Sequence, residues 1–468
     1  MDPSKDHSLI VKPAGAVSLR TNPDGVTAQM TIGVLAGVGA GRELAAETRF
    51  RLGGYEFREA DYAQIRSWAN ALGLSPKVVL ERMVTGRCSC EYGLHEDIAF
   101  GVEAGAIVSL AIDFLRLPIT SFEWQQGLQI KKLAFIHQHP IGSVQLTVNL
   151  PSLHEFNCYD TGALVIDLGI LPGLRSLRCN GNQLTELDLS NVPDLKLLAC
   201  NGNQLTELDL SNVPGLTFLW CSENQLTELD LSNVPELTEL FCDGNQLTKL
   251  DLSNVQGLEL LRCNGSHLTE LDLSNVPDLR LLACDGNQLT KLDLSNVQGL
   301  EMLRCNGNQL TELDLSNVPG LRSLRCNGNQ LTELDLSNVP GLTFLWCSEN
   351  QLIELDLSNV PGLRLLRCSE NQLTELDLSN VPDLKLLACN GNQLTELDLS
   401  NLPGFTTLYC DGNQLTELDL SNVPGLTVLS CSINQITELD LSNVAGIKID
   451  SILPDPGVKV ILRRNRTR

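Results

Sequence analysis

Apolar residues in this chain follow two periods, one short and one long. In the block LRSLRCNGNQLTELDLSNVPD (174–194), Leu177 and Cys179 alternate with Ser176, Arg178 and Asn180. Period-2 alternation predicts a strand with one buried face. Leu184, Leu187 and Leu189 follow, with Glu186 and Asp188 between them, and predict a second short extended piece on the opposite edge. Asn191 and Pro193 then turn the chain back. The long period is the block itself. L-x-x-L-x-C-x-x-N-x-L-T-E-L-D-L-S-N-V-P-G returns every 21 residues, and no part of it has the length of an ordinary helix. One block cannot bury its own leucines. Blocks must therefore stack at the ~4.8 Å strand spacing and share a continuous core.

The pattern divides the chain into four zones. Residues 1–50 are mixed, rich in Gly and Ala, and yield no legible element. Within 51–104, the stretch EFREADYAQIRSWANALGLSPKVVLERMVTG places Tyr62, Ile65, Ala69 and Leu72 on one helical face. Gly73 can end that helix and Ser75-Pro76 can begin another, which predicts a helical cap over the first turn. The array fills 105–447. Its first turns are degenerate, with Leu110/Ile112, Leu133/Phe135 and Phe156/Cys158 recurring 23 residues apart, and from about residue 152 the period locks near 21. Residues 448–468 leave the pattern, and PDPGVKVILRRNRTR is expected to close the last core layer with a strand and a basic tail.

The ninth position of the block is Asn in nearly every turn, as at Asn182, Asn203 and Asn224. A polar side chain there is most simply a ladder of amides bonded to turn backbones, because an unpartnered buried polar group costs about 1–3 kcal/mol. Ser266 breaks the ladder and predicts a weaker turn.

Of sixteen cysteines, fourteen sit on the period: Cys158, Cys179, Cys200, Cys221, Cys242, Cys263, Cys284, Cys305, Cys326, Cys347, Cys368, Cys389, Cys410 and Cys431. One sulfur per turn among leucines reads as a small buried hydrophobe. It lacks the clustered C-x₂-C spacing of a metal site. Neighbouring rungs would hold their Cβ atoms ~4.8 Å apart, against the ~3.8 Å that a disulfide favours. No metal or cofactor is expected. Cys88 and Cys90 lie outside the ladder in RCSCEYGLHEDI, near His95. A Cys–His nucleophile there is one reading, and a structural cysteine pair in the cap region is the other.

Charge narrows the partners. The chain carries a net −24, with acid in almost every turn, which argues against a general nucleic-acid or anionic-membrane binder. Only the tail is basic, through Lys459, Arg463, Arg464, Arg466 and Arg468. The apolar run at 28–41 is too short and too rich in Gly to span a bilayer. With no Sec-type signal or wall anchor legible, the expected setting is the cytoplasm, or export by another route.

The block now identifies its relatives. It resembles the bacterial leucine-rich repeat proteins of the internalin J type, whose 21-residue repeats carry Cys in place of a Leu. The resemblance covers about 300 residues. It implies a curved solenoid with a parallel β-sheet on its concave face, and a role in adhesion, host interaction or virulence. Bacterial effectors that join such repeats to a ubiquitin-ligase domain are similar in the repeats only. Their catalytic domain is large and uses a Cys-x-Asp motif, whereas about twenty residues follow the array here.

The blocks also compare themselves. CDGNQLTKLDLSNVQGLELLRCNG (242–265) returns at 284–307 with Met302 in place of Leu260. Variation concentrates at the strand positions facing away from the core. Before each cysteine these run Asn157, Arg178, Ala199, Trp220, Phe241, Arg262, Ala283, Arg304, Arg325, Trp346, Arg367, Ala388, Tyr409 and Ser430. Phe218 and Phe344 stand two positions earlier. Drift at idle exposed sites would give mostly polar residues. Aromatic residues and Arg are instead the currency of interface hot spots. The candidate partner-binding residues are therefore Phe218, Trp220, Phe241, Arg262, Arg304, Arg325, Phe344, Trp346, Arg367 and Tyr409. They are bordered by acid at Glu223, Asp243, Asp285, Glu349, Glu370 and Asp411. The expectation is a monomeric, non-enzymatic module that binds a protein or peptide on the concave face. Its rivals are an effector with chemistry around Cys88, Cys90 and His95, and a plain spacer array.

Overall fold

The computed structural model describes residues 17–19, 27–31, 47–52, 55–84, 101–103, 106–113, 124–136, 144–444, 446–447 and 457–462. The chain divides into two compact units, Met1–Gln204 and Leu205–Arg468.

The first unit opens with an antiparallel sheet of β1 (Val17–Leu19), β2 (Thr27–Thr31), β3 (Glu47–Leu52) and β4 (Tyr55–Arg58). Its first strands were illegible in sequence, since VSL and TAQMT are too short and too weakly apolar to show alternation. Helix α1 (Glu59–Leu72) follows and ends where expected. Gly73 adopts the left-handed conformation at φ 64°, and its N–H caps the carbonyls of Ala69 and Asn70. Helix α2 (Pro76–Val84) begins at the predicted proline.

Helix α1 buries Tyr62, Ile65, Trp68 and Ala69, together with two polar side chains, Asp61 and Gln64. Asp61 Oδ1 accepts a hydrogen bond from Ile107 N at 3.0 Å, and its other oxygen pairs with Arg58. Gln64 Oε1 accepts from Gln125 N at 2.8 Å. Burial pushes the Asp61 carboxyl above its ordinary range, while the Ile107 amide and Arg58 pull it back. The helix is thus fastened by side chain to backbone onto the first turns of the array, as a cap should be.

Those turns supply β5 (Gly101–Glu103), antiparallel to β6 (Ala106–Asp113). The sheet continues in parallel through β7 (Lys132–Ile136), β9 (Glu155–Cys158), β11 (Ser176–Arg178) and β12 (Leu197–Ala199). Between them, β8 (Val144–Thr147) pairs with β10 (Ala163–Asp167). Register follows the 23-residue spacing: Leu110 faces Leu133, Leu133 faces Phe156, and Phe135 faces Cys158. One expectation fails in this unit. Asn157, Arg178 and Ala199, placed by sequence on a solvent-facing column, are buried.

In the second unit the repeats give eleven three-residue strands in parallel register. They are β13 (Phe218–Trp220), β14 (Glu239–Phe241), β15 (Leu260–Arg262), β16 (Leu281–Ala283), β17 (Met302–Arg304), β18 (Ser323–Arg325), β19 (Phe344–Trp346), β20 (Leu365–Arg367), β21 (Leu386–Ala388), β22 (Thr407–Tyr409) and β23 (Val428–Ser430). In one turn Leu300, Leu303, Cys305, Leu310 and Val318 are fully buried, and Leu313 and Leu315 almost so. The predicted second extended piece, TELDLS, forms no strand up to Ser421. There each Asp folds back to accept the amide two residues on, as in Ser316 N to Asp314 Oδ1 at 2.8 Å. Only the last copy pairs: β24 (Glu438–Asp440) lies parallel to the closing strand β25 (Lys459–Ile461).

The asparagine ladder is present as the sequence predicts. Asn308 Nδ2 donates to the Cys284 and Cys305 carbonyls at 3.0 and 3.1 Å, and its Oδ1 accepts from Leu289 N at 3.0 Å. Ser266, in the same place, has a buried hydroxyl with no partner.

Candidate functional site

All fourteen ladder cysteines are free and buried. Burial pushes thiols such as Cys305 and Cys347 up, and Cys326 and Cys368 to about 12, so the reactive thiolate is scarce at neutral pH. Cys284 Sγ donates to the Arg304 carbonyl at 3.4 Å, and Cys242 does the same to Arg262. The sulfur fills a leucine's place and adds a weak bond to the next strand. The Cys-x-Asp triplet Cys158-Tyr159-Asp160 has the spacing of the ligase motif, but its thiol is fully buried. Cys88, Cys90 and His95 lie outside the described residues.

The other face of the sheet is where side chains vary. Because the strands are in register, residues 21 apart become neighbours about 4.8 Å away. Trp220 and Phe241 stack at 5.9 Å between ring centroids with planes 11° apart. The Arg262 guanidinium lies over Phe241 at 5.2 Å. Phe218 is half-buried on the same strand as Trp220, and Glu239 stands beside it on β14. Burial raises the Glu239 carboxyl, and the indole N–H of Trp220 counteracts that shift.

A second cluster follows Ala283. Arg325 sits over the Trp346 ring at 3.9 Å and Arg367 over the same ring at 4.6 Å. The indole is held between two guanidiniums from the turns on either side. Burial lowers the Arg325 pKa, helped by the nearby charges of Arg304 and Arg367. Phe344 stands beside this group and is 44% exposed. Tyr409 is separate, flanked by Ala388 and Ser430.

The acidic border has a structural part that sequence reasoning missed. Asp243 pairs with Arg262 at 2.7 Å, and Asp285 with Arg304 at 2.6 Å. Asp285 Oδ1 also accepts from the backbone and side chain of Asn306, fixing the next turn. Two of the predicted binding arginines are therefore already neutralised. Glu223, Glu349 and Glu370 take positive φ near 55°, where most other turns carry Gly. The signal was present in C-S-E-N replacing C-N-G-N, and a non-Gly residue held there is strained.

A groove in this unit lies elsewhere. It has a volume of about 1570 Å³ and runs along the T-E-L-D-L-S segments. Carboxylates such as Glu333, Glu354 and Asp335 line it, over a floor that includes Leu334 and Leu355. Its residues are those the framework repeats almost unchanged, and its aspartates are occupied by serine amides. The varied, aromatic face is the stronger candidate.

A scan against protein-family models gave no match, and a search of curated proteins gave none. Solved structures do match. The functional domain of internalin J from Listeria monocytogenes, which includes a cysteine ladder, is 35% identical with a TM-score of 0.60, covering 67% of this chain and 72% of that one. A leucine-rich repeat protein of Leptospira interrogans is 22% identical with a TM-score of 0.56, over 66% and 86% of the two chains. Internalin F of Listeria monocytogenes is 28% identical with a TM-score of 0.50, over 61% and 80%.

Proposed function

Because the chain belongs to the cysteine-ladder leucine-rich repeat family represented by internalin J, we propose that it is a non-enzymatic interaction module whose exposed sheet face holds a protein or peptide partner, in bacterial adhesion or contact with a host. The observation that carries this reading is the pair of aromatic–arginine clusters, Trp220–Phe241–Arg262 and Arg325–Trp346–Arg367. Stacked aromatics with guanidiniums held against them give rigid, amphipathic contact area that loses little entropy on binding. A spacer array needs no such residues, and conserving solvent contact there would favour small polar side chains. The catalytic reading around Cys88, Cys90 and His95 concerns residues outside those described, so no observation favours it.

The test is alanine at Trp220, Phe241, Trp346 and Arg367 together. The wild-type chain, used as bait on bacterial and epithelial lysates, should retain specific proteins that the variant loses, with the far-UV spectrum and melting curve preserved. Undiminished capture by the variant would overturn the assignment of the face.

A further inference from the structure

The two clusters on the sheet face differ in charge balance. Arg262 and Arg304 each have an aspartate at 2.7 and 2.6 Å. The turns that follow have lost that acid. The acid lies one turn back, just past the preceding cysteine: it is Asp243 for Arg262 and Asp285 for Arg304, but the same place is Asn306 for Arg325 and Ser348 for Arg367. Arg322 and Arg364 are exposed on the same two turns as Arg325 and Arg367. None of these four arginines forms a direct ion pair among the described residues, although the charge of Glu301 reaches Arg322 and that of Asp285 reaches Arg325. In a chain of net charge −24, a group of arginines without direct ion pairs is a conspicuous departure. The stack on Trp346 also fixes Arg325 and Arg367 in place before any ligand arrives.

The spacing sets the shape of what fits. Arg325 and Arg367 are two turns apart, which is about 9.6 Å at the ~4.8 Å spacing of strands. A polyproline II segment returns a side chain to the same face every three residues, with a rise of ~3.1 Å each, or about 9.3 Å. Phe344 lies on the strand between the two arginine pairs, in register with Leu365 on one side and the small buried Ser323 on the other. That apolar shelf suits the ring of a proline or a similar side chain.

From this, and resting on the reading that the sheet face is the binding surface, we infer that Arg322, Arg325, Arg364 and Arg367 around Trp346 form a subsite for an extended acidic segment of a protein partner, with carboxylates at positions i and i+3 and an apolar residue between them. Bidentate guanidinium–carboxylate pairing supplies the recognition. Glu349 and Glu370, on the same turns, confine the acidic groups to the arginine side of the face. Single-stranded RNA fits less well, because these cations cover only three turns and the rest of the chain repels phosphate.

Fluorescence anisotropy with the labelled peptide GSEPPESG tests the subsite on the full-length chain. Saturable binding is expected, at least tenfold tighter than for GSEEPPSG, which has the same composition with adjacent acids, or for GSKPPKSG. The double variant R325Q/R367Q, altered only at exposed or half-exposed side chains, should weaken binding at least tenfold. A K249Q control, at an exposed lysine away from the sheet face, should leave it within twofold. No saturable binding up to 1 mM, equal binding of the adjacent-acid peptide, or tighter binding of oligouridine would each overturn the inference. If the peptide fails while the quadruple alanine variant still loses its captured proteins, only the acidic-segment subsite falls and the broader reading stands.

Discussion

The chain contains its own control for the asparagine ladder. Ser266 occupies a position that is Asn in the turns on both sides, and substituting Ser266→Asn should complete the ladder. The neighbours give the geometry. Asn287 Nδ2 reaches the Cys263 and Cys284 carbonyls at 2.9 and 3.0 Å, and its Oδ1 accepts from Leu268 N at 3.1 Å. By the same register, an amide at 266 would accept from Leu247 N and donate to the Cys242 and Cys263 carbonyls. Three buried bonds at a net ~1 kcal/mol each give about 3 kcal/mol. Fixing the new side chain costs about 1 kcal/mol of entropy. The net gain of about 2 kcal/mol corresponds to roughly 30-fold slower exchange. In a repeat array the effect is local, so native-state hydrogen exchange at Leu247 and its neighbours is the proper readout. Ser266→Ala is the companion: it removes the orphan hydroxyl without supplying bonds. If Leu247 exchange does not slow in the Asn variant, or if Ala slows it equally, the ladder bonds do not stabilise the turn as argued.

Three further outcomes are expected. The ladder thiols make stability fall in alkali. Cys326 and Cys368 have folded pKa values raised above the ordinary 9.0 to about 12, so their contribution is complete below about pH 9 and is lost as pH rises toward 12. The slope is about 1.4 kcal/mol per pH unit per thiol. Urea melts of wild type and the C326V/C368V double variant between pH 8 and 11 should show a shallower decline in the variant, and parallel curves would contradict this. Asp285→Ala should cost about 1–3 kcal/mol because it frees both Arg304 and the Asn306 amide, while Arg304→Ala costs under about 1 kcal/mol at its partly exposed site; thermal melts giving the reverse order would refute the turn-fixing role. Glu349→Gly should stabilise by about 1 kcal/mol, since φ 55° is free to Gly and strained for Glu; a lowered melting temperature would show that Glu349 makes compensating contacts.

The fold was legible because its signals are local and repeated. Leu303, Cys305 and Leu310 recur at fixed spacing in turn after turn, so errors at one turn are corrected by the others. The cap helices were legible for a different reason, through Gly73 and Pro76 acting as punctuation. The strands before Leu52 were not, because three to six residues carry too little periodicity. For the site, alternation was enough to place Trp220, Trp346 and the arginines on one face. It could not show that Arg262 and Arg304 are directly ion-paired while Arg325 and Arg367 are not, since that depends on which acid lies one turn back in space. Nor could it show that Asn157 and Arg178, in the same column, are buried. Both depend on tertiary placement and not on period.

The claim at the centre is that the partner sits on the varied face of the sheet. Site-specific photocrosslinking tests it directly, with benzoylphenylalanine placed at Phe344 on that face or at Glu333 in the acidic groove. Both side chains are exposed, and both substitutions leave the core untouched. The account predicts a crosslinked adduct with the captured partner from position 344 and none from 333. An adduct from 333 alone would move the binding surface to the groove and contradict the account.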